Sequence, residues 1–339
     1  MKKIALFLIG LLFASTPSLA DTRASILLLH NGQGKSFDAT QLQAAVHEAV
    51  TGDAIYLSEG SYDMSDTLII DKNVSIIGTG QTTKLRGNIN ISIGSPEQTD
   101  NYILNGMRIT GDVIVRKELN GLKIKKTWIG GHFYATDSLK NSVFNNCYIK
   151  GFVPRKEIRS AICTNCIICY IGPYNSKQDV DSRGNDLAFI NCGIANVSSN
   201  SYQYLNDMSF INSIIAVYNP GVSSISGNSR GENTFINCLF KKIPTTTYGD
   251  ITEHCYADSN LSVSTESNND MFPTFKINNV AITVEALSEK EYLGNDGTVV
   301  GADGGTTPYT LQADGVRIKE SVLKVDPVTR QLNVTLKVE

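Results

Sequence analysis

Charged residues are scarce in this chain of 339 residues, where Asp, Glu, Lys and Arg make up 19%, against an average of about 25%. Long surface helices depend on Glu, Lys and Arg, so this shortage, together with 28 Gly, favours turns and β-structure. The 30 Lys and Arg are outnumbered by 33 Asp and Glu, which argues against a nucleic-acid-binding surface. The hydrophobic content of 41% excludes a wholly disordered chain.

Apolar runs long enough to span a membrane are also missing, because a span needs about 18 residues. The longest run, residues 4–13, follows Lys2 and Lys3 and precedes small residues at the −3 and −1 positions of a cut after Ala20. This pattern is typical of a secretory signal peptide. We therefore expect residues 1–20 to be removed near Ala20 and the mature chain to be secreted, periplasmic or at the cell surface, with no membrane span.

The segment after the predicted signal peptide has one helical pattern followed by short strands. Residues 25–29 predict a strand, and residues 38–50 predict an amphipathic helix with Asp38 as its N-cap and Gly52 beyond its end. Apolar runs of three to five residues, separated by Gly, Asp and Asn, then continue without further helical periodicity. This region therefore predicts a helix that caps a β-rich structure.

A short motif then recurs along the chain. Its copies are Phe144-Asn-Asn-Cys147, Cys163-Thr-Asn-Cys166, Phe189-Ile-Asn-Cys192, Phe210-Ile-Asn-Ser213 and Phe235-Ile-Asn-Cys238, with a fainter one at Ile124-Lys-Lys-Thr127. The five clear copies are 19, 26, 21 and 25 residues apart. A period in the low twenties predicts a solenoid whose turns stack about 4.8 Å apart and pair their strands.

Residues 36–87 resemble the N-terminal cap and first turns of right-handed parallel β-helix proteins of the pectin-lyase-like class. The residues that carry the likeness are Asp38-Ala-Thr, Gly52-Asp-Ala-Ile-Tyr-Leu57, Glu59-Gly-Ser-Tyr62 and Val74-Ser-Ile-Ile-Gly78, and the Phe-x-Asn-Cys repeats extend it to about residue 240. The resemblance implies an exported bacterial, all-β protein: a right-handed parallel β-helix with an N-terminal helix cap. It is specific for the fold, since this architecture carries many functions.

The seven cysteines follow the repeat. Cys147, Cys166, Cys192 and Cys238 share one column, with Ser213 in the same place, and Cys163 occupies the Phe column, so we expect buried free thiols that act as small hydrophobic residues. Cys255 lies outside these columns, and its redox state is left open. The spacing Cys163-x-x-Cys166-x-x-Cys169 also suits a metal site, but no second Cys pair or His cluster supplies further ligands. The repeated Asn is expected to form hydrogen bonds up the stack at a turn.

Enzymes of the class that this chain resembles act mostly on acidic polysaccharides, and their motifs are missing here. The chain has no Gly-His-Gly and no Asn-Thr-Asp, and the esterase Gly-x-Tyr-x-Glu becomes Gly60-Ser-Tyr62-Asp-Met64. The four histidines (His30, His47, His132 and His254) show no Ser or Cys partner in the sequence. These departures leave catalysis uncertain and favour the absence of enzyme activity.

Two polar loops hold the candidate binding residues. Asp179, Asp181 and Arg183 lie in the longest insertion between repeats and have the residue types of a calcium-dependent lyase, but they fall in one loop, so a solvated turn is the simpler interpretation. Tyr202 and Tyr204 lie in the next loop, where aromatic rings either stack on sugars or cap the edge of the turn. We take these five residues as a candidate glycan-contacting rim.

The C-terminal part has a different pattern. Residues 21–270 are predicted as the β-helix with its cap, and residues 271–339 as a closing segment that ends in a β-hairpin. Asn295, Asp296 and Asp303 have calcium-ligand types, but the alternating acidic residues of a calcium loop are missing, so tight turns are favoured and no cofactor is predicted. Leu332, Val334, Leu336 and Val338 alternate with polar residues, as in a half-buried strand.

The sequence thus predicts an exported parallel β-helix with two competing functions. One is a non-catalytic glycan-binding or surface protein. The other is a polysaccharide lyase or glycoside hydrolase with an unrecognised active site. The partner expected in either case is a polysaccharide or other glycan rather than nucleic acid, and the oligomeric state is left open.

Overall fold

The computed structural model describes residues 24–94, 102–156, 158–172, 186–198, 207–219, 233–244, 250–265, 273–313, 318–325 and 332–338. It confirms the predicted fold class. Strands account for 51% and helices for 7% of the structure, and the strands stack as a parallel β-solenoid.

The N-terminal cap covers the first open edge of the solenoid. Strands β1 (Ser25–His30) and β2 (Gln33–Asp38) form an antiparallel hairpin, and β1 also pairs with the first solenoid strand. A 3₁₀ turn (Ala39–Gln41) then leads into helix α1 (Leu42–Glu48). The predicted apolar face of this helix is confirmed, because Leu42, Ala45, Val46 and Ala49 are all buried.

Two side chains tie this cap to the first turn. The Gln43 side chain accepts the Ile69 N–H at 2.7 Å and donates to the Ile69 carbonyl at 3.1 Å. Lys72 Nζ donates to the carbonyls of Val46, His47 and Ala49 at the C-terminal end of the helix, where a cation also complements the helix dipole. The helix thus supplies partners to a strand edge that would otherwise be open.

In chain order the strands of the solenoid are β3 (Ala54–Leu57), β4 (Gly60–Asp63), β5 (Leu68–Ile70), β6 (Ser75–Ile77), β7 (Thr83–Arg86), β8 (Ile89–Ile91), β9 (Leu104–Ile109), β10 (Val113–Val115), β11 (Leu119–Asn120), β12 (Lys123–Ala135), β13 (Leu139–Lys140), β14 (Val143–Asn145), β15 (Tyr148–Pro154), β16 (Ile158–Arg159), β17 (Ala161–Thr164), β18 (Ile167–Ile168), β19 (Leu187–Ile190), β20 (Gly193–Ser198), β21 (Met208–Ile211), β22 (Ile214–Asn219), β23 (Thr234–Ile236), β24 (Leu239–Phe240), β25 (Ile251–Glu253) and β26 (Tyr256–Ala257).

These strands form three faces of parallel strands. The first face runs β3, β6, β9, β12, β14, β17, β19, β21, β23, β25. The second face runs β4, β7, β9, β12, β15, β18, β20, β22, β24, β26. The third face contains β5, β8, β10 and the later parts of β12 and β15, and β11, β13 and β16 form a small separate parallel sheet. Long strands such as β12 bend around a corner and pair on more than one face.

The predicted aromatic column fills the interior behind the first face. Phe189 stacks on Phe210 with ring centroids 5.1 Å apart, and Phe210 stacks on Phe235 at 5.0 Å. Cys163 pairs in register with both Phe144 and Phe189, as the repeat predicted. Phe152 from β15 reaches toward the same two rings, at 5.4 Å from Phe144 and 6.2 Å from Phe189. The small Cys163 side chain therefore leaves room for a ring from another face.

The repeated Asn marks the corner between the first and second faces. The corner residues are Lys126, Asn146, Asn165, Asn191, Asn212, Asn237 and His254, and each has a positive φ between 48° and 54°. Asn adopts this left-handed conformation more readily than most other residues. The conformation of the corner therefore accounts for the Asn column. The side chains of Asn146, Asn165, Asn191 and Asn212 form hydrogen bonds with the closing segment described below, rather than the expected bonds from turn to turn.

The residue that follows the corner Asn in each repeat donates a hydrogen bond. It is therefore more than the small hydrophobic residue that the sequence predicted. The Cys166 thiol lies 3.3 Å from the Thr164 carbonyl and 3.5 Å from the Phe144 carbonyl, and its sulfur accepts the Cys147 N–H at 3.4 Å. The same contacts with the carbonyl two residues earlier recur along the column, which comprises Thr127, Cys147, Cys166, Cys192, Ser213, Cys238 and Cys255. The prediction that Cys255 lies outside the column is therefore wrong. All seven cysteines are free thiols.

The C-terminal closing segment packs on the second face and on the Asn corner. Its strands β28 (Pro273–Ile277) and β29 (Val280–Ala281) form a small antiparallel sheet with β27 (Leu261–Thr265), which precedes residue 271, and helix α2 (Val284–Glu289) follows. The closing segment is therefore taken to include β27. Residues 290–313 then run back along the solenoid, from the level of Asn212 to the level of Gly106. The predicted hairpin is present as β30 (Ile318–Val325) and β31 (Leu332–Val338).

Candidate functional site

The residues predicted to form a glycan-contacting rim are not among those that the structure describes. Asp179, Asp181 and Arg183 fall in 173–185, and Tyr202 and Tyr204 fall in 199–206. The predicted signal peptide, residues 1–20, lies outside the described part as well. These predictions therefore stay predictions.

Seven polar and aromatic residues lie on three successive turns at the corner between the second and third faces. We call them the corner cluster: Arg108, Asp112, Trp128, His132, Tyr134, Lys150 and Arg155. Their turns are held together by the parallel register of β9, β12 and β15, in which Arg108 pairs with Trp128 and Tyr134 with Val153. Residues that are far apart in the sequence are thus placed about 4.8 Å apart, on a rigid backbone.

The centre of the corner cluster is a contact between Asp112 and His132. Asp112 Oδ1 accepts the His132 backbone N–H at 2.7 Å and lies 3.5 Å from His132 Nδ1. The hydrogen bond from the His132 ring lowers the pKa of the Asp112 carboxyl below its ordinary value, and the Lys150 charge lowers it further. Both effects act against partial burial, so Asp112 is an anion at neutral pH.

A glycine on the next turn makes room for the imidazole. A Cβ at Gly151, which pairs with His132, would lie 2.3 Å from His132 Cδ2. No side chain fits there without displacing the ring. The backbone of β15 therefore fixes where the His132 ring lies.

Two arginines in the corner cluster lie on aromatic rings. The Arg108 guanidinium carbon is 4.0 Å from the centroid of Trp128, and that of Arg155 is 4.5 Å from the centroid of Tyr134. The His132 ring is also stacked on Tyr134, with centroids 5.4 Å apart. A guanidinium held against a ring loses little freedom when it pairs with an anion. The cluster therefore presents oriented cations beside aromatic faces.

The closing segment borders the cluster on one side. Trp128 packs edge-on against Tyr148 at 4.9 Å, and the Tyr148 hydroxyl lies 3.1 Å from Cys169 Sγ. Tyr309 and Leu311 of the closing segment pack on this group. Burial raises the pKa of the Cys169 thiol to about 11, so Cys169 is a neutral packing residue on the outer surface rather than a thiolate ligand. Cys163 and Cys166 lie in the buried core.

The middle of the chain is basic although the whole chain is acidic. Residues 84–159 contain 13 Lys and Arg and 6 Asp and Glu, a net charge of +7, whereas the full chain has −3. Summing charge over the whole sequence concealed this segment. It contains every residue of the corner cluster, and a basic local field favours acidic ligands.

The composition of the cluster limits its chemistry. Asp112 is its only carboxylate, whereas glycoside hydrolysis ordinarily needs two carboxyl groups about 5–10 Å apart. Among the described residues, no group of three or more His, Cys, Asp or Glu side chains is arranged to hold a metal ion. Two of the three suggested calcium ligands are engaged in other contacts, since Asp296 accepts from the N–H and hydroxyl of Thr298, and Asn295 contacts Asn212. The arrangement suits anion and sugar binding, with one acid–base pair.

Sequence reasoning missed this cluster although its spacing was visible. Asp112 and His132 each follow a Gly, in Gly111-Asp112 and Gly131-His132, and they are 20 residues apart. That distance equals one turn in this part of the chain. Searching for a Ser or Cys partner close in sequence overlooked a carboxylate one turn away.

Within the described residues, no helix has the length and hydrophobicity that crossing a membrane requires. No family model, no curated protein and no solved structure matches this chain.

Proposed function

We propose that this chain is an exported, non-catalytic protein that binds an acidic glycan through the corner cluster. One observation carries the proposal: from the turns on either side of β12, Arg108 and Arg155 are each held against an aromatic ring of that strand, within a segment of net charge +7 in an acidic chain. Arginine pairs with carboxylate or sulfate through its planar donor fork. Aromatic faces stack on sugar rings.

The rigidity of the scaffold supports this function. The strands that hold Arg108, Trp128 and Tyr134 are paired on both sides, so their positions are set before a ligand arrives. Binding sites formed in advance lose less entropy on association than mobile loops. A glycan chain lying along the corner would meet cations and rings in alternation over three turns.

The chain contains a single tryptophan, Trp128, so its fluorescence reports on the proposed site directly. We expect polygalacturonate to change this fluorescence and a neutral dextran of similar length to leave it unchanged. Calorimetry on the same pair of polymers measures affinity independently. Replacing Arg108 or Arg155 by Gln should weaken binding about 10-fold or more, since a hydrogen bond to a charged group contributes about 1.5–3 kcal/mol.

Lys242→Gln is the matched control, because it removes one positive charge from an exposed position outside residues 84–159. Tyr202→Ala and Arg183→Gln test the rim predicted from the sequence in the same assay. If Lys242→Gln weakens binding as much as Arg108→Gln, the attraction is only long-range charge. If only the rim variants lose affinity, the site lies in the loops and the corner cluster is not involved.

The contact between Asp112 and His132 favours a second candidate, a polysaccharide-degrading enzyme. With one carboxylate in the cluster, proton abstraction and elimination fit better than two-carboxylate hydrolysis. Incubating purified protein with uronate polymers and measuring absorbance from unsaturated products tests this. Turnover that His132→Ala abolishes and Arg183→Gln retains would establish catalysis at the corner cluster and end the non-catalytic proposal.

A further inference from the structure

The outer surface of the first face carries no charged side chain over five consecutive turns. Two residues of each strand point outward, and in β14, β17, β19, β21 and β23 none of these is charged. They are Val143, Asn145, Ile162, Thr164, Ala188, Ile190, Ser209, Ile211, Thr234 and Ile236. Ile162 is 39% exposed. We call this surface the flat face. Six of these ten residues are apolar, and an uncharged, partly apolar surface suits contact with another protein.

Charges of opposite sign stand at the two ends of the flat face. On the turn before it, Lys123 and Lys125 point outward from β12. On the turn after it, Ile251 and Glu253 point outward from β25. The strand register places Lys125 and Glu253 in one column. Six strand-to-strand spacings separate them, which is about 29 Å in total, since each spacing is about 4.8 Å.

We infer that the flat face binds a second copy of this chain. A two-fold axis parallel to the strands stacks the two faces with their solenoid axes reversed. In that arrangement Lys125 of one copy meets Glu253 of the other at both ends, while Ile190, midway between them, meets its own counterpart. Such an interface is isologous, so it closes as a dimer and does not extend further.

Charge complementarity favours a second copy of this chain whose solenoid axis is reversed. A parallel arrangement of the two copies would place Lys125 against Lys125 and Glu253 against Glu253, which is unfavourable. The chain between Leu261 and Ala313 contacts the second face and the Asn corner, within the residues that the structure describes. The flat face is also distinct from the corner cluster, so the dimer does not depend on glycan binding.

The size of the flat face sets the expected strength. A strip about 29 Å long and about 10 Å wide covers roughly 300 Å², less than the about 800 Å² per partner of a standard interface. It would form the apolar core of an interface whose rim is polar. We therefore expect a dimer with a dissociation constant in the micromolar range, in exchange with monomer.

Sedimentation velocity of the purified protein from about 1 to 100 µM tests the inference. We expect the wild-type chain to shift from monomer to dimer with concentration and to stop there. Ile190→Lys places two like charges at the two-fold axis and should raise the dissociation constant at least about 10-fold. Ile69→Lys is the matched control, since Ile69 is 47% exposed on the third face and should have no effect.

A charge exchange supplies a test that does not rely on disrupting the apolar surface. Lys125→Glu alone should weaken the dimer several-fold, and adding Glu253→Lys should restore it, with circular dichroism confirming the fold of each variant. Wild-type protein that stays monomeric at 100 µM overturns the inference. So does a dimer that Ile190→Lys leaves intact, a failure of the charge exchange to restore association, or growth beyond two copies.

Discussion

The Asn165 side-chain amide donates to the carbonyls of Ala302, at 2.9 Å, and Gly304, at 2.6 Å, which lie 137 and 139 residues further along the chain. Asn146 accepts the Thr310 N–H at 2.7 Å, and Asn212 accepts the Asn295 N–H at 3.0 Å. The column of corner amides therefore serves as the docking site for the closing segment. One residue type meets two demands at each turn, a left-handed backbone and a polar side chain that binds a second segment.

Substituting Asn165 separates these two demands. Asn165→Gly keeps the positive φ but loses both hydrogen bonds, whereas Asn165→Ala also strains the backbone. We expect Asn165→Gly to lower the free energy of unfolding by about 2 kcal/mol because two buried carbonyls lose their partner, and Asn165→Ala to lower it by about 1 kcal/mol more. Urea unfolding measures both values. Hydrogen exchange should accelerate in residues 300–310 for both variants, and unchanged exchange there would contradict the docking role.

The donor column predicts an unusual order of stability at Cys166. At most buried positions an apolar Ala is tolerated better than Ser, because a hydroxyl is costly to bury. Here Ser can donate to the Thr164 and Phe144 carbonyls as the thiol does, and Ser213 already does so in its own turn. We expect Cys166→Ser to be more stable than Cys166→Ala by about 1–2 kcal/mol in urea unfolding. The reverse order would mean that the thiol acts only as a small hydrophobic residue.

The contact between Asp258 and Lys290, the residue that follows helix α2, makes the stability of the chain depend on pH. Its carboxylate is buried and accepts from Lys290 Nζ at 3.0 Å, the Asn260 N–H at 3.0 Å and the Tyr292 hydroxyl at 3.3 Å. Burial raises the pKa of this carboxyl, but the hydrogen bonds from Lys290 and Asn260 outweigh it and hold the pKa below its usual 3.8. Because the folded-state pKa lies below the unfolded value, the stabilisation is complete above about pH 4–5 and is lost as pH falls through the folded-state pKa.

We therefore expect the free energy of unfolding to fall as the pH drops below about 5, and to fall less steeply in Asp258→Asn, which already lacks the charge. At pH 7 this variant should be less stable than the wild-type chain by about 1–3 kcal/mol. Asp63→Asn is the control, since Asp63 is 71% exposed in its contact with Arg86 and should leave the profile unchanged. Equal slopes in Asp258→Asn and the wild-type chain would rule out this attachment as a source of acid sensitivity.

The repeat made most of the fold predictable. In each turn, the Phe of Phe-x-Asn-Cys supplies an inward ring, the Asn a left-handed corner, and the Cys a small hydrogen-bond donor. Equivalent residues of successive turns must stack, because parallel strand pairing aligns them. The helix cap was predictable for the same reason, since Leu42, Ala45, Val46 and Ala49 follow the helical period. Cys255 was misassigned because its turn has Thr252 in place of Phe and His254 in place of Asn, which hides the repeat.

The sequence by itself determined which residues stack on one another, because stacking depends only on spacing along the chain. The tertiary structure decided which distant residues meet outside the repeat: Asn165 with Ala302, Arg108 with Trp128, and Asp112 with His132. These contacts depend on which corner each turn presents and on where the closing segment returns, and no local period encodes either. The architecture is therefore a property of the repeat, whereas the candidate site is a property of how the turns and the closing segment are assembled.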